Sequence, residues 1–263
     1  MRHRISRRSS LITIGMLCAN LAHAACPPRP IKLAHFEFGH AYHGGSGMEV
    51  DLVEEMKRRS GCAISGEVYP RARIWSELES GHLDMALTAI QSKERERYAW
   101  YVPYLQQKNY VLLREGVLTT IRNGQEFLQS PTLRFAAVRG YRHGAPYDDL
   151  IANLAKQGRL DLVPNSPRLF DMLRAGRVQA ALAVPLVYRY ELERRPIPGL
   201  RVVDWAPRDV PPRSGLMLSK ASFTEQDAHF WRGIFEAMAR DGTLLRIVQR
   251  YLPPDEAQAA LLK

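Results

Sequence analysis

Long hydrophobic runs are missing from this chain of 263 residues. No apolar stretch reaches the roughly 18 residues that a membrane-spanning helix needs. Cysteine is scarce, with only Cys18, Cys26 and Cys62 present. None has neighbouring His or Cys at zinc spacing, and none has the local partners of a thiol nucleophile. Neither a metal nor a cofactor is therefore expected. Lysine and arginine outnumber aspartate and glutamate by 37 to 27, yet they do not cluster. Beyond the first 24 residues the basic runs are Lys57-Arg58-Arg59 and Arg194-Arg195. A nucleic-acid binder wants a charged stripe with interleaved aromatics, so no nucleic-acid partner is expected. The sequence also lacks internal repeats, low-complexity segments and any His/Asp/Ser arrangement that compels catalysis.

What is there begins with a leader. Arg2, Arg4, Arg7 and Arg8 form a basic start, and Leu11 to Ala19 form a short apolar core. Ala22-His23-Ala24 supplies the small-x-small pattern of a cleavage site. Residues 1–24 are read as a signal peptide, which implies export to the periplasm with cleavage near Ala24. Ser6-Arg7-Arg8 before Leu11-Ile12 faintly resembles a twin-arginine signal, so the export route stays open. Without these four arginines the formal charge of +10 becomes +6. That is a mild bias toward anionic ligands or surfaces. Cys26 and Cys62 remain, an even count in an oxidising compartment. Each lies just ahead of a predicted strand. Neighbouring parallel strands place their starting ends side by side, so the two are expected to form a disulfide.

Strand-like and helix-like segments alternate in the mature chain. Ile31–Phe36 reads as a strand. Val50, Leu52, Val53 and Met56 recur at helical spacing up to Ser60-Gly61. Ala63–Tyr69 is a second strand, and Ile74, Trp75 and Leu78 mark a helix ended by Gly81. Met85–Ile90 is a third strand. This β-α-β-α-β order predicts a parallel sheet with helices on its faces. A second such unit follows: strands Leu133–Val138, Leu160–Val163 and Ala180–Val184, with helices at Tyr147–Leu154 and around Leu169 to Leu173. A proline-rich stretch, Pro207 to Pro212, precedes a last helix from Thr224, its N-cap, to Arg240. Asp241-Gly242 breaks that helix, and an amphipathic turn follows through Ile247, Val248 and Tyr251.

Four stretches carry a resemblance. They are Gly47-Met48-Glu49-Val50-Asp51-Leu52, Leu78-Glu79-Ser80-Gly81-His82-Leu83-Asp84-Met85, Ser92-Lys93-Glu94-Arg95 with Val102-Pro103-Tyr104, and Asp241-Gly242-Thr243-Leu244 ending at Tyr251. In this order and spacing the chain resembles the bacterial extracellular solute-binding proteins of family 3, the polar-amino-acid type. The resemblance implies an α/β fold of two lobes joined by two hinge crossings, near Gln106–Asn109 and Trp205–Pro212. The first lobe is discontinuous, residues 25–107 and 212–263, and the second spans residues 108–211. A small solute would sit in the cleft between lobes, and hinge bending would close them. A monomer is implied, delivering to an ABC transporter permease or a membrane sensor.

The family also implies site residues. Arg95 matches the arginine that forks onto a ligand carboxylate, a geometry guanidinium suits. Thr88 and Ile90 match positions whose backbone faces the ligand. Glu37, Phe38 and Tyr42 lie in a cleft-lining loop, and Arg73 and Trp75 follow Pro70 at another wall. Arg139-Gly140-Tyr141-Arg142 matches a turn before a helix, where backbone N–H groups favour an anion; Tyr141 and Arg142 are larger than the usual residues there. The departure is Val184, where the family has an aspartate that pairs with the ligand's ammonium. A buried ammonium facing valine would cost several kcal/mol. Either Glu37 replaces the aspartate, or the ligand is not a standard α-amino acid. The alternative function is a periplasmic, dehydratase-like enzyme on the same scaffold, with Glu37, His40, His43 and His143 as acid–base candidates.

Overall fold

A computed structural model describes residues 26–262, apart from Thr119 and Pro146. The expected signal peptide, its cleavage site and Cys18 lie outside the described residues. The chain opens with β1 (Ile31–His35), α1 (Met48–Ser60), β2 (Ile64–Val68), α2 (Arg71–Glu79), β3 (Met85–Ile90) and β4 (Ala99–Gln106). It continues with β5 (Tyr110–Arg114), α3 (Glu115–Leu118), α4 (Gly124–Gln129), β6 (Phe135–Val138), α5 (Tyr147–Lys156), β7 (Leu160–Val163), α6 (Ser166–Arg174), β8 (Ala180–Ala183), α7 (Pro185–Arg194) and β9 (Leu200–Val203). It ends with β10 (Arg213–Ser219), α8 (Glu225–Arg240), α9 (Thr243–Val248) and α10 (Pro254–Ala260).

The strands form two five-stranded sheets, ordered β2-β1-β3-β10-β4 and β7-β6-β8-β5-β9. Each begins as the sequence predicts, with β1 parallel to β2 and β3, and β6 parallel to β7 and β8. Neither stays parallel throughout. Strand β10 lies between β3 and β4 and runs antiparallel to both, and β5 runs antiparallel to β8 and β9. The reason is the direction of re-entry. β4 leaves the first sheet at Gln106, and β10 returns at Arg213, directly opposite it in register. A strand that re-enters at the end where its neighbour left must run the other way.

One core runs from the first sheet onto one face of the second, and the second sheet buries a separate core on its other face. In the first, α1 lays Met48, Leu52, Val53 and Met56 against the strands, and α8 adds the fully buried Trp231. In the second, Phe127 and Phe135 meet edge to face, their ring centroids 5.6 Å apart. Helix ends follow the predicted chemistry. Gly61 closes α1 in the left-handed conformation, and Thr224 begins α8 in a reciprocal capping box with Asp227. Cys26 and Cys62 are disulfide-bonded with Cα atoms 5.2 Å apart, which ties the approach to β1 to the approach to β2. Among the described residues no helix is long and apolar enough to cross a membrane.

Candidate functional site

Two segments join the sheets, one from Gln106 to Tyr110 and one from Val203 to Arg213. They touch each other, since Gln107 N donates to Pro212 O at 3.0 Å. Beside them, between the two sheets, is a cavity of about 650 Å³, counting its solvent-open mouth.

The wall from the first sheet is cationic. Arg71 starts α2 in phase with the buried Ile74 and Leu78, so its side chain is carried inward. Its guanidinium carbon sits 3.9 Å from the Phe36 ring centroid and 4.3 Å from that of Trp75. Arg71 Nη2 donates to Thr88 O at 2.8 Å. Arg95 lies in the short 3-10 turn after β3, with its guanidinium carbon 3.5 Å above Trp75. It donates from Nη1 to Ile90 O at 2.8 Å and from Nη2 to Gly140 O at 3.2 Å. The relative exposures of Arg71 and Arg95 are 6% and 5%. Burial pushes Arg71 down to about 9, helped by the neighbouring Arg95 charge, and burial pushes Arg95 down to about 10. Both therefore stay charged at neutral pH. Aromatic faces offset part of the cost of burying them. Each keeps N–H groups beyond those already engaged, because a guanidinium carries five.

A buried polar network stiffens this wall. Glu49, fully buried at the start of α1, accepts from Thr88 Oγ1 at 2.6 Å and bonds His35 Nδ1 at 2.9 Å. Thr88 holds φ at 51°, a left-handed value in a non-glycine strand residue. Such strain persists only where the surroundings over-determine it. Here Tyr104 OH accepts from Thr88 N at 3.0 Å while Arg71 takes the Thr88 carbonyl.

The wall from the second sheet is mostly apolar, and its buried polar side chains, Asn109, His143 and Ser166, carry no charge at neutral pH. Leu169, Phe170, Leu182, Val184 and Val187 line it. Tyr141 packs edge-on to Phe36 and Phe38, with centroids 5.8 and 5.5 Å away. No aspartate or glutamate lines the cavity among the described residues. His143 sits near the crossing segments with 5% exposure. Its Nδ1 lies 2.8 Å from Asn109 Oδ1, while Asn109 Nδ2 donates to the His143 carbonyl at 3.0 Å. Burial pushes the imidazole down to about 4, with Asp148 acting weakly in the opposite direction.

The two halves touch around the cavity. The Gly140 carbonyl accepts from Trp75 Nε1 at 3.1 Å as well as from Arg95. His40 N donates to Leu186 O at 2.7 Å beside Gly39, where an added Cβ would lie 2.4 Å from that same oxygen. His40 Nε2 meets Glu193 at 3.1 Å, and Arg189 forms a bidentate pair with Glu256. At the exposed rim Arg142 reaches Glu94 at 3.3 Å.

Of the residues singled out from the sequence, Arg95, Thr88, Ile90, Phe38, Tyr141, Arg142 and Val184 line the cavity. Trp75 lies behind the guanidinium groups as their support. Three positions need correction. Arg73 is exposed and pairs with Glu77 at 2.8 Å, because it follows the outer phase of α2. Tyr42 turns back onto His35, its ring stacked at 4.3 Å. Glu37 accepts from Gly44 N at 3.3 Å and is not among the residues that line the cavity. The turn at Arg139–Arg142 is not a helix N-terminus either. α5 begins only at Tyr147, with Asp148 and Asp149 in its first turn, and Asp148 Oδ1 accepts from His143 N at 2.9 Å. His40 and His43 stand at the rim against Tyr190, with centroids 5.3 and 4.5 Å away. Sequence reasoning missed Arg71, Asn109, Gln107 and Ser166. Only Arg71 had a local signal, its phase with Ile74 and Leu78. No group of three or more His, Cys, Asp or Glu is placed to hold a metal among the described residues.

Comparison with known proteins now bears on this geometry. No curated protein matches the chain. Among solved structures, an ancestral arginine-binding protein bound to arginine superposes with a TM-score of 0.70 at 17% identity, covering 85% of this chain and 98% of that one. The solute receptor for L-cysteine of Neisseria gonorrhoeae gives 0.71 at 17% identity, covering 89% and 96%. An ancestral amino acid-binding protein, a precursor of cyclohexadienyl dehydratase, gives 0.68 at 15% identity, covering 84% and 95%. At such identities the likeness shows the fold, a two-lobed α/β binding-protein architecture. The family comes from the sequence itself: residues 32–254 match one family profile, and the chain belongs to the bacterial extracellular solute-binding proteins, family 3.

Proposed function

We propose that this chain is an exported, monomeric solute-binding protein that closes on a small organic anion without an ammonium group. The observation that carries this reading is the pair of buried guanidiniums, Arg71 and Arg95, in a cavity that no carboxylate lines among the described residues. Two desolvated cations beside each other destabilise an empty closed site, and a bound carboxylate relieves both the repulsion and the unmet hydrogen bonds. An ammonium in the same cavity meets two like charges and Val184 instead of an acid. The apolar wall of Leu169, Phe170, Leu182 and Val187 suits a hydrocarbon body attached to the acid. The lobes are read as residues 25–107 with 212–263, and 108–211, with the two crossing segments as hinges. Delivery to an ABC-type permease or to a membrane sensor in the periplasm completes the proposal.

Binding rather than turnover is supported by the family match over residues 32–254, a family of solute-binding proteins. Native mass spectrometry of the freshly purified protein is expected to reveal a co-purifying organic acid. Thermal-shift screening is expected to give larger shifts with carboxylic acids than with the twenty amino acids. Tight binding of a common L-amino acid, with a Kd well below about 0.1 mM, would overturn the ammonium-free reading. Conversion of the bound acid by the purified protein would favour the enzyme.

A further inference from the structure

The tautomer of His143 is fixed by its neighbour. Asn109 commits its Nδ2 to the His143 carbonyl, so its Oδ1 is the atom that faces the imidazole. An oxygen can only accept, so His143 Nδ1 must carry the proton. Nε2 is then a bare lone pair. It is buried and finds no partner among the described residues, and His143 lines both this cavity and a smaller one shared with Lys108, Tyr147 and Asp209. Buried acceptors without partners are rare, and each calls for something to bind it. A second acceptor stands in the same state. Gln107 also lines the cavity, and its Oε1 is buried without a partner. Both residues flank the crossing segments, and Asn109 and Gln107 belong to the same short stretch. The guanidinium wall thus carries surplus donors, and two unpaired acceptors lie buried in residues at the crossing end of the cavity.

We infer that the ligand is a hydroxylated carboxylic acid, with its acid group on Arg71 and Arg95 and a hydroxyl donating to His143 Nε2. This rests on the organic-anion reading and narrows it. A hydroxyl satisfies a neutral acceptor without bringing charge, whereas an ammonium would place a cation beside two buried guanidiniums. A parent acid lacking the hydroxyl would leave Nε2 unmet in the closed state. Sites built to receive a donor discriminate against analogues that lack it.

Calorimetry on the purified mature protein tests this. The probes are 3-phenylpropanoate and hexanoate, their 2-hydroxy and 3-hydroxy forms, 3-(4-hydroxyphenyl)propanoate and 6-hydroxyhexanoate, and the matching 2-amino acids. On at least one skeleton a hydroxy acid is expected to bind about tenfold more tightly than its parent, the size of one net hydrogen bond. The amino acid is expected to bind more weakly than the parent. In His143→Phe, which keeps the ring and removes the acceptor, the ratio of hydroxy-acid to parent-acid affinity is expected to fall to about one, whatever the change in absolute affinity. His143→Gln, which retains an acceptor, is expected to recover part of the advantage. Parent acids binding as well as every hydroxy form would overturn this inference and leave the organic-anion reading standing. An advantage that survives in His143→Phe would also overturn it. If none of the acids binds, both fall. Should the variants fail to fold, the wild-type ranking alone decides.

Discussion

The two lobes meet at one cavity but contribute opposite things to it. The first brings buried positive charge, braced by Glu49, Thr88 and Tyr104 and stacked on Trp75 and Phe36. The second brings shape, through Tyr141, Leu169, Phe170 and Val184, and one neutral acceptor at His143. A charge recognised on one lobe can hold a ligand before the other arrives. On the proposed function, the apolar contacts and the neutral hydrogen bond would form on closure, and the first lobe would set the affinity for an acid and the second its selectivity.

The sharpest way to break the comparison is to remove the charge. Arg95→Ala is expected to weaken carboxylate binding by about 2–5 kcal/mol, the range for truncating one partner of a buried charge pair. Arg142→Ala, an exposed rim cation on the second lobe, is expected to cost less than about 1 kcal/mol. Calorimetry on the two variants checks both, and equal losses would abolish the asymmetry. Next in size is a block to closure. Gly39 has φ of 58°, and an added Cβ would lie 2.4 Å from Leu186 O across the lobes. Gly39→Ala is expected to weaken binding by about 1–3 kcal/mol through strain and overpacking. X-ray scattering should then register no compaction on adding ligand, with secondary structure unchanged by circular dichroism.

Smaller still is a change in selectivity. Val184→Asp places a carboxylate on the neutral wall. It is expected to raise affinity for 2-amino acids by about tenfold, or about 1.4 kcal/mol, and to lower it for the parent acids. A calorimetric screen of both series reads the switch, and an unchanged ranking would show that Val184 does not set it. The least effect concerns pH. The folded pKa of His143 lies near 4, below its unfolded value, so the unfolded chain takes up the proton first. Stability from this group is complete above the unfolded pKa near 6.5 and is lost as pH falls toward 4. Glu191, raised by burial, works in the opposite direction. A net loss of about 1 kcal/mol is expected between pH 7 and 5.5, seen as a falling Tm that His143→Phe flattens.

Much of this architecture was legible in the residues because its signals are local. Gly61 and Thr224 mark helix ends, β3 and β7 read directly from their apolar runs, and Arg95 sits in a motif. What was hidden depends on distant partners. β10 pairs with β4 from 107 residues away, Arg213 against Gln106, and no short window carries that pairing. Arg71 was passed over for Arg73 because both follow Pro70, and only the phase of Ile74 and Leu78 tells the inner from the outer. His143 could be named as a titratable group, but its protonated nitrogen is chosen by Asn109, 34 residues earlier.

The doubly held carbonyl of Gly140 has a consequence for timing. A carboxylate that draws Arg95 onto itself takes away one of that carbonyl's two donors and leaves the Trp75 indole in place. Capturing the solute therefore need not unfasten the clasp that keeps the halves together. On the proposed function, the guanidinium would hold the acid while the indole stays with His40 N on Leu186 O and Arg189 on Glu256 among the contacts that keep the halves together.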